Sequence, residues 1–198
     1  INSPESVDKI SKLYPELLVT ASYASLIKKE LRQIPTFGAI NLHPSLLPKY
    51  RGPTPIQTAL LNGDHKTGTT IFRLTSRLDA GPILAQRELV ILPEDNFGSL
   101  KEKLANISAE LLIEIIPAIK DNSLTERPQD ENLASYTHKF SKKDFWINWD
   151  NKIKNIFNQI RAFSPSPGAR TSIHNTNLKI LQAEIYDSSK NDKPGTIA

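Results

Sequence analysis

Asn41 and His43 stand two residues apart at the end of a short extended run. On a strand their side chains would share one face while Leu42 points to the other. An amide beside an imidazole suits acyl transfer. The amide N–H can donate to a developing oxyanion, and the imidazole, which titrates near neutral pH, can handle the proton of an attacking amine. Asp79, in the segment LDAG, could hold that imidazole in place. The same two residues could instead cap a strand and satisfy backbone groups, and their spacing alone does not decide between these readings.

Other chemistry finds less support. The 198 residues include no cysteine, which excludes disulfides, thiolate metal sites and a cysteine nucleophile from this stretch. No pair of histidines has the HExxH spacing of a zinc helix, RGPTP lacks the spacing of a phosphate-binding loop, and no GxGxxG is present. Ser45 does not sit in a GxSxG elbow. His65 falls in the turn GDHKTG and His174 in the hairpin tip IHNTN, both expected to be solvent-exposed, and His138 lies in a polar connecting segment. No metal site is expected. A 38% hydrophobic and 23% charged composition, with no apolar run of membrane-spanning length, argues against an integral membrane protein. The chain opens on Ile1 and contains no methionine, so residue 1 is not expected to be a natural start, and any targeting segment would lie upstream.

The elements that would position these residues follow an α/β rhythm. Leu17 to Thr20 reads as a buried strand of a parallel sheet, SYAS as a loop and 25–33 as a helix. A second strand, Gly38 to Leu42, runs into the proline-bounded loop HPSLLPKYRGPTP; Ile56 to Asn62 is helical, and Gly63-Asp64 stops it. Two β-branched runs, Thr69 to Ser76 and Ile83 to Ile91, frame LDAG. Leu100, Leu104, Ile107, Leu111, Leu112, Ile115 and Ile119 keep helical spacing across Ser99 to Ile119, predicting a long helix on the sheet. Residues 122–140 lack any period and read as an interdomain linker, so that 1–121 forms one domain and 141–198 another. In the latter, Asp150 would cap a helix with the apolar stripe Ile153, Ile156, Phe157, Ile160 and Phe163, leaving Lys152, Lys154, Asn158 and Arg161 outward, and Ser164-Pro165 would end it. A β-hairpin follows over ARTSIHNTNLKILQAEIY, opening a mostly β unit.

Charge is unevenly spread over a net +4. Residues 138–179 hold eight Lys/Arg against Asp144 and Asp150, making this stretch either a solvated face or the place to meet a polyanion.

Taken together, INLHPSLLPKYRGPTP, NGDHKTGTT and LDAGPIL resemble the signature of the formyltransferase family that uses 10-formyltetrahydrofolate. The resemblance implies a Rossmann-like catalytic domain, present here in part, then a linker and the start of an OB-like β-barrel domain. It implies Asn41, His43 and Asp79 as catalytic residues and Ser45, Leu46, Leu47 and Pro48 as a folate-contacting loop. SYASLI departs from the family's AYG-type loop, with Ala24 where glycine is common. Within the family, Tyr50-Arg51-Gly52, DFWINWDNKIKNIFNQIRAFSPSPGA and KPGTI are most similar to the members that formylate the methionine of a charged initiator tRNA. The implied partner is therefore methionyl initiator tRNA, with Arg51, Lys152, Arg161 and Arg170 as candidate contacts. Arg51 has a second reading, a hydrogen bond that orders its loop. The implied setting is the bacterial cytoplasm or an organelle, and the implied state a monomer. Relatives that act on sugar nucleotides or a purine precursor, hydrolyse the formylfolate, or feed an appended dehydrogenase domain share the signature; a catalytically silent RNA-binding module is the alternative from another class. By the same comparison, the first βα units and the rest of the barrel are expected to lie outside this sequence.

Overall fold

The computed structural model describes residues 1–23 and 25–186. The departure at Ala24 and the KPGTI segment lie outside the described residues. A four-stranded sheet in the order β1 (Leu18–Ala21), β2 (Ala39–His43), β3 (Lys66–Arg73), β4 (Ile83–Val90) forms the centre. β1 and β2 are parallel, while β3 is antiparallel to both β2 and β4. β3 starts and stops about three residues earlier than its β-branched pattern suggests. Lys66 to Gly68 pair with Val90 to Glu88, whereas Thr75 turns the chain by accepting from the Arg77 N–H at 3.2 Å.

Alternation divides the sheet into two faces with different duties. Ile40, Leu42 and Ile71 point toward α4 (Phe97–Lys120), where they meet Leu111, Ile115 and Ile119. The opposite face carries Asn41 and His43, with Phe72, Leu47 and Ile83 clustered beside them. A bulge between Ile71 and Phe72 keeps β4 in register with both faces. α4 starts two residues before the apolar period does, because Asn96 and Ser99 form a reciprocal capping box. Its first half, Leu100 and Leu104, packs on α3 (Pro55–Leu61) and on Tyr50. Each such buried leucine contributes roughly 1.5–3 kcal/mol relative to exposure.

Two short helices depart from expectation. α1 (Pro4–Ser11) is unanticipated from its mostly polar sequence; Ser3 caps it and Pro4 occupies the first turn. The helix expected over 25–33 shrinks to α2 (Lys29–Arg32). Asn2 explains this, since its amide donates to the Leu26 carbonyl at 2.7 Å and its Oδ1 accepts the Lys28 N–H at 2.9 Å, holding 26–28 extended.

Residues 122–140 are not a free linker. One 3-10 turn (Glu131–Leu133) interrupts an otherwise irregular strap that bridges to the N-terminal half at Ile83 with Arg127 and at Arg51 with Tyr136. Beyond it, α5 (Ile153–Phe163) is capped by Lys152 without a side-chain bond, not by Asp150, which sits in the preceding turn. Ile153 is exposed, so the apolar stripe begins at Ile156. β5 (Ala169–Ile173) and β6 (Thr176–Ile180) form the expected hairpin, a two-stranded sheet of its own. Among the described residues no helix is long and apolar enough to cross a membrane.

Gly68 in β3 has no room for a side chain. A Cβ there would lie 2.3 Å from the Arg87 carbonyl oxygen and 2.5 Å from Leu46 Cδ2. Gly68→Ala should therefore cost about 1–3 kcal/mol, read as a lower urea midpoint at unchanged slope; an unchanged midpoint would show that the sheet and the Leu46 loop yield freely.

Candidate active site

β2 delivers Asn41 and His43 to one face at its carboxyl end, where open α/β sheets place ligands. Thr20, the β1 residue paired with Asn41, holds the amide in place: its hydroxyl lies 2.8 Å from Asn41 Oδ1. With the oxygen engaged there, the half-exposed Asn41 presents its Nδ2 as a donor that makes no hydrogen bond among the described residues.

His43 is buried, with 4% of its surface exposed. Its Nε2 lies 2.8 Å from the Tyr50 carbonyl oxygen. A carbonyl can only accept, so Nε2 carries the proton, and Nδ1 is the remaining titrating position. Nδ1 faces Asp79 Oδ2 at 3.7 Å, too long for a hydrogen bond but close enough for the charges to interact. Burial pushes the imidazole below its ordinary value of 6.5, and the Asp79 carboxylate and the Tyr50 carbonyl only partly offset this. At neutral pH His43 rests neutral, not protonated.

Asp79 occupies a left-handed conformation, φ 46°, which aspartate tolerates better than most residues. Its Oδ2 accepts the Gly52 N–H at 2.7 Å. The carbonyls of Asp79 and Gly81 both accept from Gln129 Nε2, each at 2.8 Å. Gly81 is required by close approach, because a Cβ would sit 1.7 Å from the Arg73 carbonyl oxygen. Gln129 has no counterpart in the sequence expectations; it stands in a polar run without periodicity, and nothing local marks it.

The loop Ser45 to Pro48 is laced to the sheet. Ser45 is buried and donates to the Lys49 carbonyl at 2.6 Å, and Leu47 is buried beside Phe72. Thr70 Oγ1 donates to the Ser45 carbonyl and accepts the Leu47 N–H, while Gln86 Nε2 donates to the Leu47 carbonyl at 2.8 Å. Leu46 and Pro48 are the members of this loop with substantial surface.

The expected polyanion contacts divide. Arg51 is 0% exposed, and its guanidinium donates to Gln129, Glu131 and Tyr136. It orders the loop, as its second reading has it, and has no donor left for a phosphate. Burial opposes its charge, but the bonds to Glu131 and Tyr136 more than offset that and raise its pKa. Arg161 likewise turns inward, donating to the carbonyls of Leu92, Pro93 and Asp95. Asn158, expected outward, is buried with its amide on the Leu61 carbonyl. These two residues dock α5 on the N-terminal half, which corrects their assignment to a solvent face. Arg170 is half-buried, with Nε lacking a partner among the described residues. Lys152 is exposed, as are Lys139, Lys142, Lys143 and Lys154, and none of the five has an ion pair among the described residues. His65 and His174 are exposed. A concavity of about 530 Å3 lies at the opposite end of β2, lined by Lys29, Arg32, Gly38, Arg73 and Glu126 among others.

Comparison with known proteins places this geometry in context. A family described as "Formyl transferase" matches residues 2–116, and "Formyl transferase, C-terminal domain" matches 139–198. The chain is 44% identical over 96% of its length to a methionyl-tRNA formyltransferase from Dictyoglomus turgidum, and 40% identical over 100% to one from Staphylococcus aureus. It spans 60% and 63% of the length of these two relatives. Among solved structures, WlaRD, a sugar 3N-formyl transferase crystallised in the presence of dTDP and 5-N-formyl-THF, is 27% identical with a TM-score of 0.66, covering 87% of this chain and 63% of that one.

The lowered pKa of His43 has a consequence for stability. The unfolded chain takes up this proton at a higher pH than the folded one, so stability is lost as pH falls through 6.5 toward the depressed folded value. Urea midpoints at about pH 7.5 and about pH 5.5 should differ, and the difference should shrink in His43→Gln. An identical difference in the variant would show that His43 is not the group responsible.

Proposed function

The chain belongs to the formyl transferase family, and on that premise we propose that it transfers a formyl group from 10-formyltetrahydrofolate to the amine of methionine on charged initiator tRNA. The observation that carries this reading is the outward amide of Asn41 beside the His43–Asp79 pair, 3.7 Å apart. Identity of 44% and 40% to methionyl-tRNA formyltransferases favours the tRNA acceptor over a sugar nucleotide, for which the likeness is 27%. The proposed setting is the bacterial cytoplasm or an organelle, and the proposed state a monomer.

The amine attacks the formyl carbon, a C–N bond forms and the carbonyl electrons move to oxygen. Asn41 Nδ2 donates to that oxyanion; a fixed donor aimed at developing charge is commonly the largest catalytic contribution. Neutral His43, with its proton held on Nε2 by Tyr50, receives the amine's proton at Nδ1. The imidazolium so formed faces the Asp79 carboxylate, which stabilises it. Collapse of the intermediate returns the electrons, breaks the bond to N10 of the folate, and the proton passes to that nitrogen. Leu46 and Pro48 offer the folate its contact surface. The acceptor's phosphates meet Lys139, Lys142, Lys143, Lys152 and Lys154 in place of Arg51 and Arg161.

In the full-length protein, His43→Ala and Asp79→Asn should each slow single-turnover formyl transfer by about 10²–10⁴-fold with little change in substrate affinity. Near-normal turnover in both would sink the catalytic assignment. Transfer to charged initiator tRNA should also weaken steeply as salt rises, and a flat response would point to a sugar-nucleotide acceptor.

A further inference from the structure

We infer that Gln129, in the strap between the two halves, is the residue that positions the catalytic Asp79. This deepens the proposed function and rests on Asp79 acting in formyl transfer. The argument is a closed ring of hydrogen bonds. Gln129 Nε2 donates to the carbonyls of Asp79 and Gly81, each at 2.8 Å, and so grips the backbone on both sides of the loop's turn. Gln129 Oε1 accepts from Arg51 Nε at 3.0 Å and Nη2 at 2.8 Å. Arg51 is followed by Gly52, whose N–H holds the Asp79 carboxylate at 2.7 Å. The ring therefore returns to Asp79, with Gln129 holding its main chain, Gly52 holding its side chain and Arg51 linking the two. Glu131, two residues on in the strap, takes the other edge of Arg51 and also accepts from Arg77 Nη2 at 2.7 Å, tying down the loop ahead of Asp79.

This clasp matters because Gln129 is the side chain that holds the backbone of the Asp79 turn itself, at residues 79 and 81. Asp79 sits at φ 46°, a conformation that persists only when its surroundings impose it. Its carboxylate must stay opposite His43 Nδ1, and no α-helix or β-strand carries it. An amide is the side chain that can grip two carbonyls while accepting from a guanidinium. Glutamate at 129 would keep the acceptor toward Arg51 and lose both donors toward the loop.

Steady-state kinetics of full-length Gln129→Glu test the inference. The Arg51 contact survives but two carbonyls lose their donor and face a carboxylate oxygen, so the melting temperature should fall modestly, whereas kcat should fall about tenfold to hundredfold with the KM values for folate and tRNA within about twofold, the pattern of a displaced catalytic group. In the Asp79→Asn background the same substitution should cost nothing further, because the group it positions is already disabled. Gln129→Asn, an amide on a shorter arm, carries the same test if the glutamate variant does not fold, with the same loss of kcat expected. Wild-type kcat at position 129 with Asp79→Asn inactive overturns this inference alone, as does a full multiplicative effect in the double variant. Wild-type turnover in Asp79→Asn overturns the catalytic reading of Asp79, and this inference with it.

Discussion

A guanidinium with no exposed surface is the constraint around which the rest of the molecule is arranged. Taking Arg51 out of water is costly unless its donors are all met, and removing one partner from such a buried cation typically destabilises by roughly 3–5 kcal/mol. Its partners come from a segment about eighty residues downstream, Gln129, Glu131 and Tyr136. The strap must therefore lie across the N-terminal half before Arg51 can be buried. Once it does, its backbone also pairs with that loop, through the Arg51 N–H on the Ser135 carbonyl and the Thr137 N–H on the Arg51 carbonyl. The two loops that shape the site, 44–54 and 74–82, are thus held by a third, distant piece of chain.

The electrostatics of the candidate site depend on that enclosure in a second way. His43 is neutral because it is buried, and it is oriented because the Tyr50 carbonyl fixes its proton on Nε2. Tyr50 itself has φ 63° and is fixed through its N–H on Ser135 Oγ and its hydroxyl on Asp64. An imidazole in water would be partly charged near neutrality and free to turn. Here the surroundings select one tautomer and set the Asp79 carboxylate 3.7 Å from the unprotonated Nδ1.

Elements whose pattern is local were readable in the sequence. The α4 apolar period, the β2 run and the Ile156-to-Phe163 stripe each bury one face against a neighbour, and periodicity reports that directly. Asn41, His43 and Asp79 were readable as chemistry only alongside the SLLP and LDAG segments. What escaped reading is long-range and polar. Asn2 shortens α2, Arg161 and Asn158 turn inward to dock α5, and Gln129 reaches back to Asp79, each by bonds to residues 24 or more positions away. Polar residues at helical spacing look solvated whether they face water or a neighbouring carbonyl, so pattern alone assigned Asn158 and Arg161 to the wrong side.

The strap also bears on how such a molecule can be recombined. By composition, residues 122–140 invite a cut, as if two modules met there by a tether. Yet up to Thr137 and His138 this segment is bonded to the N-terminal half, with Thr54 donating to both the Thr137 hydroxyl and the His138 carbonyl. A chimaera that joined this N-terminal half to a foreign C-terminal unit at residue 121 would discard the partners of its own buried arginine. An exchange after His138 would keep those partners, yet it would still have to rebuild the α5 face that Asn158 and Arg161 dock on Leu61 and the 92–95 turn, so the stretch that looks most dispensable must be inherited together with the candidate site.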